Sequence, residues 1–159
     1  MSRSHIGKTM FVSAALPETN DTAGFEALSW TPVAGLVQGP QFGYQHAMIE
    51  IPDLQTGRGS AVKGMGTGAE SSMALKLTPN SDAGQELVKT IADGPQGKVS
   101  IKLVRGSGTG NAVQAGDPVE YAQGILHSYM LNAADGDSYE GFTVSFRQNA
   151  EHVTGTEPA

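Results

Sequence analysis

Two segments near the C-terminus, VEYAQGILHSYML (119–131) and YEGFTVSFR (139–147), decide the fold of this chain. In the second segment every other residue is apolar, so Phe142, Val144 and Phe146 share one face of an extended strand. Between the segments, Asp135-Gly136 is a favourable hairpin turn. The two segments therefore predict an antiparallel β-hairpin with one face turned to the core.

The same period of two recurs upstream and predicts half-buried strands. Residues 98–105 (KVSIKLVR) place Val99, Ile101 and Leu103 together, and 10–16 (MFVSAAL) form a shorter strand. In 70–78 (ESSMALKLT), the face with Met73, Leu75 and Leu77 opposes one with Ser72, Ala74 and Lys76. In 42–51 (FGYQHAMIEI), the face with Ala47, Ile49 and Ile51 opposes one with His46, Met48 and Glu50.

One α-helix is expected at about 80–92. Asn80, Ser81 and Asp82 offer capping side chains directly after Pro79. Apolar residues then follow at helical spacing, and Gly94-Pro95 ends the run. The sequence thus predicts a mainly β domain over residues 10–147, with two packed antiparallel sheets (a β-sandwich or barrel-like arrangement) and one flanking helix. Residues 1–9 and 148–159 are polar and are expected to form extended N- and C-terminal arms.

Between two of the predicted strands lies a long segment without periodicity, PDLQTGRGSAVKGMGTGA (52–69). Connections in compact domains are usually about 4–6 residues long, and much longer ones are either disordered or functional. This one combines flexible glycines with apolar and basic side chains. It is therefore predicted to be a loop that contacts another subunit through Leu54, Arg58, Val62, Lys63 and Met65.

The composition excludes several classes of protein. The chain has 159 residues, no cysteine and a net charge of −6, so disulfide frameworks, thiolate metal sites and a primary role in gripping phosphates are all disfavoured. No apolar run is long enough for a membrane helix, and the N-terminus lacks the apolar core of a secretion signal. Charged residues are 16% of the chain, against about 25% in ordinary domains. The low charge suggests a surface that neighbouring subunits cover.

The residues give no sign of catalysis, of a cofactor or of a metal site. Among the histidines (His5, His46, His127 and His152), none lies three or four residues from another. The glycine-rich stretches GMGTGA (64–69) and GSGTGN (106–111) lack the spacing of a dinucleotide-binding or P-loop motif. Asp135 and Asp137 flank a turn glycine, which accounts for their presence. We expect a protein that is not an enzyme.

The order of these elements carries a resemblance to a known family. The opening, AALPETNDTAGFEALSWTPVAGLVQGPQFG (14–43), has a small-residue/Pro start, an Asp-to-aromatic step (DTAGF) and a Trp-x-x-Val strand (WTPV). A long loop, a strand (MALKLTP), a helix (SDAGQELVKTIA) and the closing hairpin follow. Over about residues 10–147, this pattern resembles the major tail tube proteins of long non-contractile-tailed (siphovirus-type) bacteriophages.

The resemblance implies a structural virion protein that stacks as hexameric rings into a tail tube, assembled in the bacterial host cytoplasm. DNA would pass through the lumen without specific binding, and the partners would be further copies of the chain, a tape-measure protein, a tail terminator and distal tail proteins. Six copies at −6 each would carry −36, and a negative lumen would let DNA slide. Candidates for lumen-facing side chains are His46, Met48, Glu50, Ser72, Ala74 and Lys76.

The two arms carry opposite charges, Arg3 and Lys8 against Glu151 and Glu157. We expect them to pair between adjacent rings, although exposed ion pairs give at most about 1 kcal/mol each.

Three alternatives to the tail-tube interpretation stay open. The first is a hexameric tube or ring protein of a type VI secretion-like system, and the second is a head–tail or tail-terminator ring protein. The third is a small-ligand-binding β-barrel, which would need a mostly apolar cavity with a few polar groups.

Overall fold

The computed structural model describes residues 3–78, 80 and 82–159. These residues form ten strands and two α-helices, which follow in the order β1 (Lys8–Ser13), α1 (Thr22–Glu26), β2 (Thr31–Val33), β3 (Leu36–Gln38), β4 (Tyr44–Ile51), β5 (Ser60–Gly68), β6 (Glu70–Lys76), α2 (Ala83–Asp93), β7 (Lys98–Arg105), β8 (Pro118–Leu131), β9 (Gly141–Gln148) and β10 (Val153–Thr156). The prediction of a mainly β protein with two antiparallel sheets and one main helix is confirmed.

The two sheets are unequal in size. Eight strands form one sheet in the order β2-β1-β7-β8-β9-β6-β3, and β10 pairs with the first residues of β8. β8 pairs with three strands because it is 14 residues long. β7 pairs with one edge of β8, while β10 pairs with the first part of the opposite edge and β9 with the rest of it. β4 and β5 form the second sheet by themselves.

The main core lies on one face of the large sheet. It joins side chains from strands that are distant in the sheet order, such as Val33 of β2 and Leu75 of β6, so the sheet curls around this core. Helix α2 packs on it through Val88 and Ile91. Most of the predicted core face is found here, namely Met73, Leu75, Val99, Ile101, Leu103, Phe142, Val144 and Phe146, whereas Leu77 is exposed.

A smaller core covers the opposite face of β7 and β8. Phe25 from α1 stacks on Tyr121 of β8 with ring centroids 5.0 Å apart, and Trp30 packs beside them. Burial, together with the negative charges of Glu157 and Glu26, raises the pKa of Tyr121 to about 12. The large sheet is therefore buried on both faces in this region.

Helix α2 is capped and tied to the sheet edge by a few polar groups. The Asp82 carboxylate accepts hydrogen bonds from the amides of Gln85 and Ala34, both at 3.1 Å. The Gln85 side chain donates to the carbonyls of Ala34 and Lys76 at 2.7 and 2.8 Å. Asp82 thus fulfils the capping prediction, while Pro79 and Ser81 lie outside the described residues.

Gly84 sits where α2 touches β2, and a methyl group there would collide with the carbonyl oxygen of Pro32. In an open helix, Gly→Ala stabilises by about 1 kcal/mol. Here we expect Gly84→Ala to lower the free energy of unfolding by about 1–3 kcal/mol, since overpacking against a backbone atom must displace the helix. Urea unfolding followed by circular dichroism measures the change. Thr90→Ala on the exposed side of α2 is the control, and equal stability of the two variants would contradict the prediction.

Candidate assembly surface

The second sheet is a hairpin that projects from the domain. Every residue of β4 is exposed, and β5 pairs with β4 over its whole length. The predicted loop at 52–69 is therefore wrong in extent: residues from Ser60 onward form a strand, and the connection covers only 52–59. The glycines of β5 interrupt the alternation of side chains that marks a strand in a sequence. Backbone hydrogen bonds to β4 hold this strand instead, and they leave no such pattern.

One face of this hairpin is an apolar stripe. Ile49 lies directly opposite Val62, and Ile51 follows two residues along β4 on the same face. Their side chains are 53%, 44% and 46% exposed, respectively. The sequence correctly placed Ala47, Ile49 and Ile51 on one face, but the expectation that this face is buried is wrong for the single chain. No other described element covers it.

The opposite face of the hairpin carries His46, Met48 and Glu50, all exposed, with Lys63 across from Met48. On β6, Ser72 and Lys76 are exposed and Ala74 is half-buried, on the face opposite Met73 and Leu75. Arg147 of β9 lies across from Glu70 at the start of this β6 face. The described charges on these two surfaces are of both signs, so the expectation of a negative lumen rests on the net charge alone.

The tip of the hairpin is an ordered turn around Asp53. Its carboxylate accepts hydrogen bonds from the amides of Gln55 and Thr56 at 2.9 and 3.3 Å, and Gly57 adopts a positive φ of 70°. Hydrogen bonds from the Thr56 hydroxyl and these amides hold the pKa of Asp53 below its usual value. Beside this turn, Leu54 is 98% exposed and Arg58 is also exposed. The most exposed apolar side chain of the hairpin thus stands on a defined turn.

The base of the hairpin is joined firmly to the large sheet. Ala69 donates to the carbonyl of Gly43 at 2.8 Å and accepts from the amide of Gln148 at 3.1 Å. The side chain of Gln148, which is buried, accepts from the amide of Gly43 at 2.9 Å. At Gly68 any side chain would collide with the carbonyl of Gln148, so this close approach needs glycine. The hairpin is held in a fixed direction from its base.

The predicted loop residues fall into two groups on this hairpin. Leu54 and Arg58 belong to the connection, whereas Val62, Lys63 and Met65 belong to β5. All five are exposed. Gly64 and Met65 lie together opposite Ala47, because a β-bulge inserts one extra residue into β5 at this point.

Two of the four charged residues of the predicted arms form ion pairs within the chain. Lys8 begins β1 and pairs with Glu120 at 3.3 Å, and Glu157 pairs with Lys102 at 3.1 Å. The C-terminal segment is not a free arm, since β10 joins the large sheet. Arg3 and Glu151 are exposed, and the carbonyl of Glu151 accepts from Asn20. Lys8 and Glu157 are therefore placed to stabilise the monomer.

The structure has a second exposed apolar patch that the sequence did not predict. It lies where β8, β9 and the end of β6 meet, and consists of Leu77, Leu131 and Tyr139. A β-bulge after His127, with Ser128 at a φ of 59°, shifts the register of β8 just before Met130. Two large apolar residues in a row, Met130-Leu131, place an apolar side chain on each face of β8, and this break in the alternation is the signal that could have found the patch.

Neither a metal site nor a membrane helix is found among residues 3–78, 80 and 82–159. No group of three or more His, Asp or Glu side chains there could hold a metal ion. No helix in the same residues is long and apolar enough to cross a membrane.

Solved structures with a similar fold are known, although the sequence comparisons find no match. No protein-family model matches the chain, and no curated protein matches it in sequence. A chain in the 6-fold symmetrised cryo-EM structure of the anti-feeding prophage (AFP) baseplate aligns with a TM-score of 0.63 at 6% identity, over 99% of this chain and 96% of that one. The AFP tube terminating cap gives 0.53 at 14% identity, over 92% and 87%. The sheath-tube complex of the PVC extracellular contractile injection system gives 0.53 at 10% identity, over 92% and 88%. The chain is therefore similar in fold to structural components of phage-tail-like contractile injection systems.

Proposed function

We propose that this chain is a structural, non-enzymatic subunit of a phage or phage-derived tail tube, and that it polymerises by self-association into stacked hexameric rings. The observation that carries the proposal is the projecting β4–β5 hairpin, whose apolar stripe of Ile49, Ile51 and Val62 is left uncovered in the single chain. A contiguous exposed apolar surface on a small protein marks an interaction site.

Assembly into rings needs two different surfaces that fit each other. The projecting hairpin is one such surface, and the domain from which it projects must supply the other. A contact between unlike surfaces repeats from copy to copy, and it closes into a ring or continues as a helical filament. Support comes from the fold neighbours, one from a structure with 6-fold symmetry and another from a sheath-tube complex.

In the proposed tube, the surfaces of β4 and β6 with His46, Met48, Glu50, Ser72, Ala74 and Lys76 face the lumen. Charges of both signs among these side chains suit a channel through which DNA passes without being held. The partners would be a tape-measure protein, a tail terminator and distal tail proteins, in a particle assembled in the host cytoplasm. Both kinds of particle have a tube subunit: the non-contractile tails, whose tube proteins this sequence resembles, and the contractile injection systems, whose components are similar to this chain in fold.

A single ring that ends a tube is the second candidate function. It is favoured by the likeness to the AFP tube terminating cap and to the PVC sheath/tube terminator, which aligns with a TM-score of 0.54 at 10% identity. A terminator would form rings that do not stack. A ring protein of a type VI-like system would also self-associate into rings, whereas a ligand-binding barrel would stay a monomer.

Negative-stain electron microscopy of the purified chain at rising concentration tests these functions. We expect stacked rings that grow into tubes as the concentration rises. Separate rings at every concentration would favour the terminator. Monomers at every concentration would contradict self-assembly, and a size-exclusion profile run in parallel checks that such monomers are folded.

A further inference from the structure

An open groove of about 1,040 Å³ lies on the side of the large sheet that curls around the main core. Its walls are the N-terminal segment 4–8, the segment 36–42 that contains β3, and residues 152 and 154 near β10. This volume is at the upper end of the range of about 300–1,000 Å³ that is usual for small-molecule sites, and the groove is open along one side. The groove is therefore of a size to take a polypeptide segment.

The floor of the groove combines an ion pair with apolar surface. Met10, which belongs to the main core, pairs in register with Leu103, and Leu103 pairs with Glu120. These registers put Lys8, Leu103 and Glu120 on the same face as the core, at its uncovered end. The Lys8 and Glu120 side chains remain 18% and 43% exposed, so the ion pair can still be reached from the groove.

The walls add exposed apolar side chains. Ile6 is among the most exposed large apolar residues, and Val37 on β3 is about half exposed. Within the described residues β3 pairs only with β6, so its other edge has free backbone groups beside the groove. Phe42 closes one end by packing on Phe146 and stacking near His152.

We propose that this groove binds the hairpin turn, residues 52–59, of a second copy of the chain. The inference rests on the proposed function, and it identifies where the projecting hairpin docks. Leu54 would be the apolar anchor between Ile6 and Val37, with Asp53 toward Lys8 and Arg58 toward Glu120. The turn carries one negative and one positive side chain beside an apolar one, and so does the groove. The two surfaces are therefore complementary in charge and in polarity.

The turn does not occupy the groove of its own chain, because Leu54 is 98% exposed and the groove is open. A hairpin turn that binds in the groove must therefore come from another copy of the chain. Because the turn and the groove are different surfaces, each copy can donate its hairpin to one neighbour and receive the hairpin of another. The ordered turn around Asp53 lowers the entropy that docking costs.

Disulfide trapping tests the docking directly, because the chain has no cysteine of its own. Leu54→Cys and Val37→Cys are made as separate variants, mixed in equal amounts, assembled and oxidised. Leu54→Cys mixed with Met130→Cys is the matched control, since Met130 is exposed, does not line the groove, and lies three strands from Val37 in the sheet, about 14 Å away. Disulfides form only where Cα atoms come within about 7 Å.

We expect the 54–37 mixture to give on the order of tenfold more cross-linked dimer than the 54–130 mixture, because docking raises the effective concentration of the two thiols. Assemblies that form normally but trap no more 54–37 than 54–130 disulfide would overturn the groove and leave the tube function standing. Absence of any assembly of the unmodified chain would overturn the tube function, and the docking with it.

Discussion

The triple substitution Ile49→Thr, Ile51→Thr and Val62→Thr is expected to raise the concentration needed for assembly about a hundredfold, while the domain stays folded. The three side chains are roughly half exposed in the single chain, so each has about 1 kcal/mol of apolar burial left to gain from a neighbour. Together they would contribute about 3 kcal/mol to each contact, or about two factors of ten in affinity. Threonine keeps the β-branched shape that suits a strand.

The matched control for this variant is Met48→Thr, on the opposite face of the same strand. Met48 is exposed as well, but it belongs to the face proposed for the lumen, so its loss should leave assembly unchanged. Microscopy over a concentration series measures assembly, and thermal melting measures the fold. Because the stripe packs on no described element, the melting temperature of the triple variant should match that of the parent. Tubes at the parent concentration would show that the stripe does not bind a neighbour.

The second large effect is expected from Glu157→Ala, which should lower the free energy of unfolding by about 3 kcal/mol. Lys102, on β7, is only 5% exposed, and its ammonium lies 3.1 and 3.2 Å from the two carboxylate oxygens of Glu157. It also sits 4.5 and 5.5 Å from the ring centres of Phe11 and Trp30. Without the carboxylate, a buried positive charge keeps only these aromatic faces, which cannot replace an ion pair.

Thermal melting of dilute, monomeric protein measures this loss as about 6–12 °C, at 2–4 °C for each kcal/mol in a chain of this size. Glu120→Ala is the control, because it removes the more exposed ion pair with Lys8 and should cost less than about 1 kcal/mol. The double variant Lys102→Met, Glu157→Leu should recover most of the stability, since it leaves no buried charge. Equal losses for Glu157→Ala and Glu120→Ala would contradict the account.

The sequence predicted the parts of the fold that depend on local pattern. Val99, Ile101 and Leu103, and Phe142, Val144 and Phe146, alternate in the sequence and are all buried on the main core. The helix was predictable because Asp82 caps it and Gly94-Pro95 follow it. Such signals are carried within a few residues, so they survive without knowledge of the rest of the chain.

The candidate site was predictable only in part. The predicted contact residues, Leu54, Arg58, Val62, Lys63 and Met65, are all exposed, but half of their segment is a strand that pairs with β4, and their contact with another subunit stays a prediction. Ile49 and Ile51 show the same alternation as Val99 and Ile101, yet only the latter pair is buried. Alternation states which side chains share a face, whereas another element decides whether that face is covered.

By itself, the sequence determined that this protein is mainly β, where most of its strands and its main helix lie, and which side chains share a face. Only the tertiary structure decided that the β4–β5 face stays open, that β10 returns to the sheet and that Glu157 neutralises Lys102. These outcomes join residues that are distant in the chain, such as the 55 positions between Lys102 and Glu157. Local periodicity carries no information about such partners, because burial and pairing depend on the path of the whole backbone.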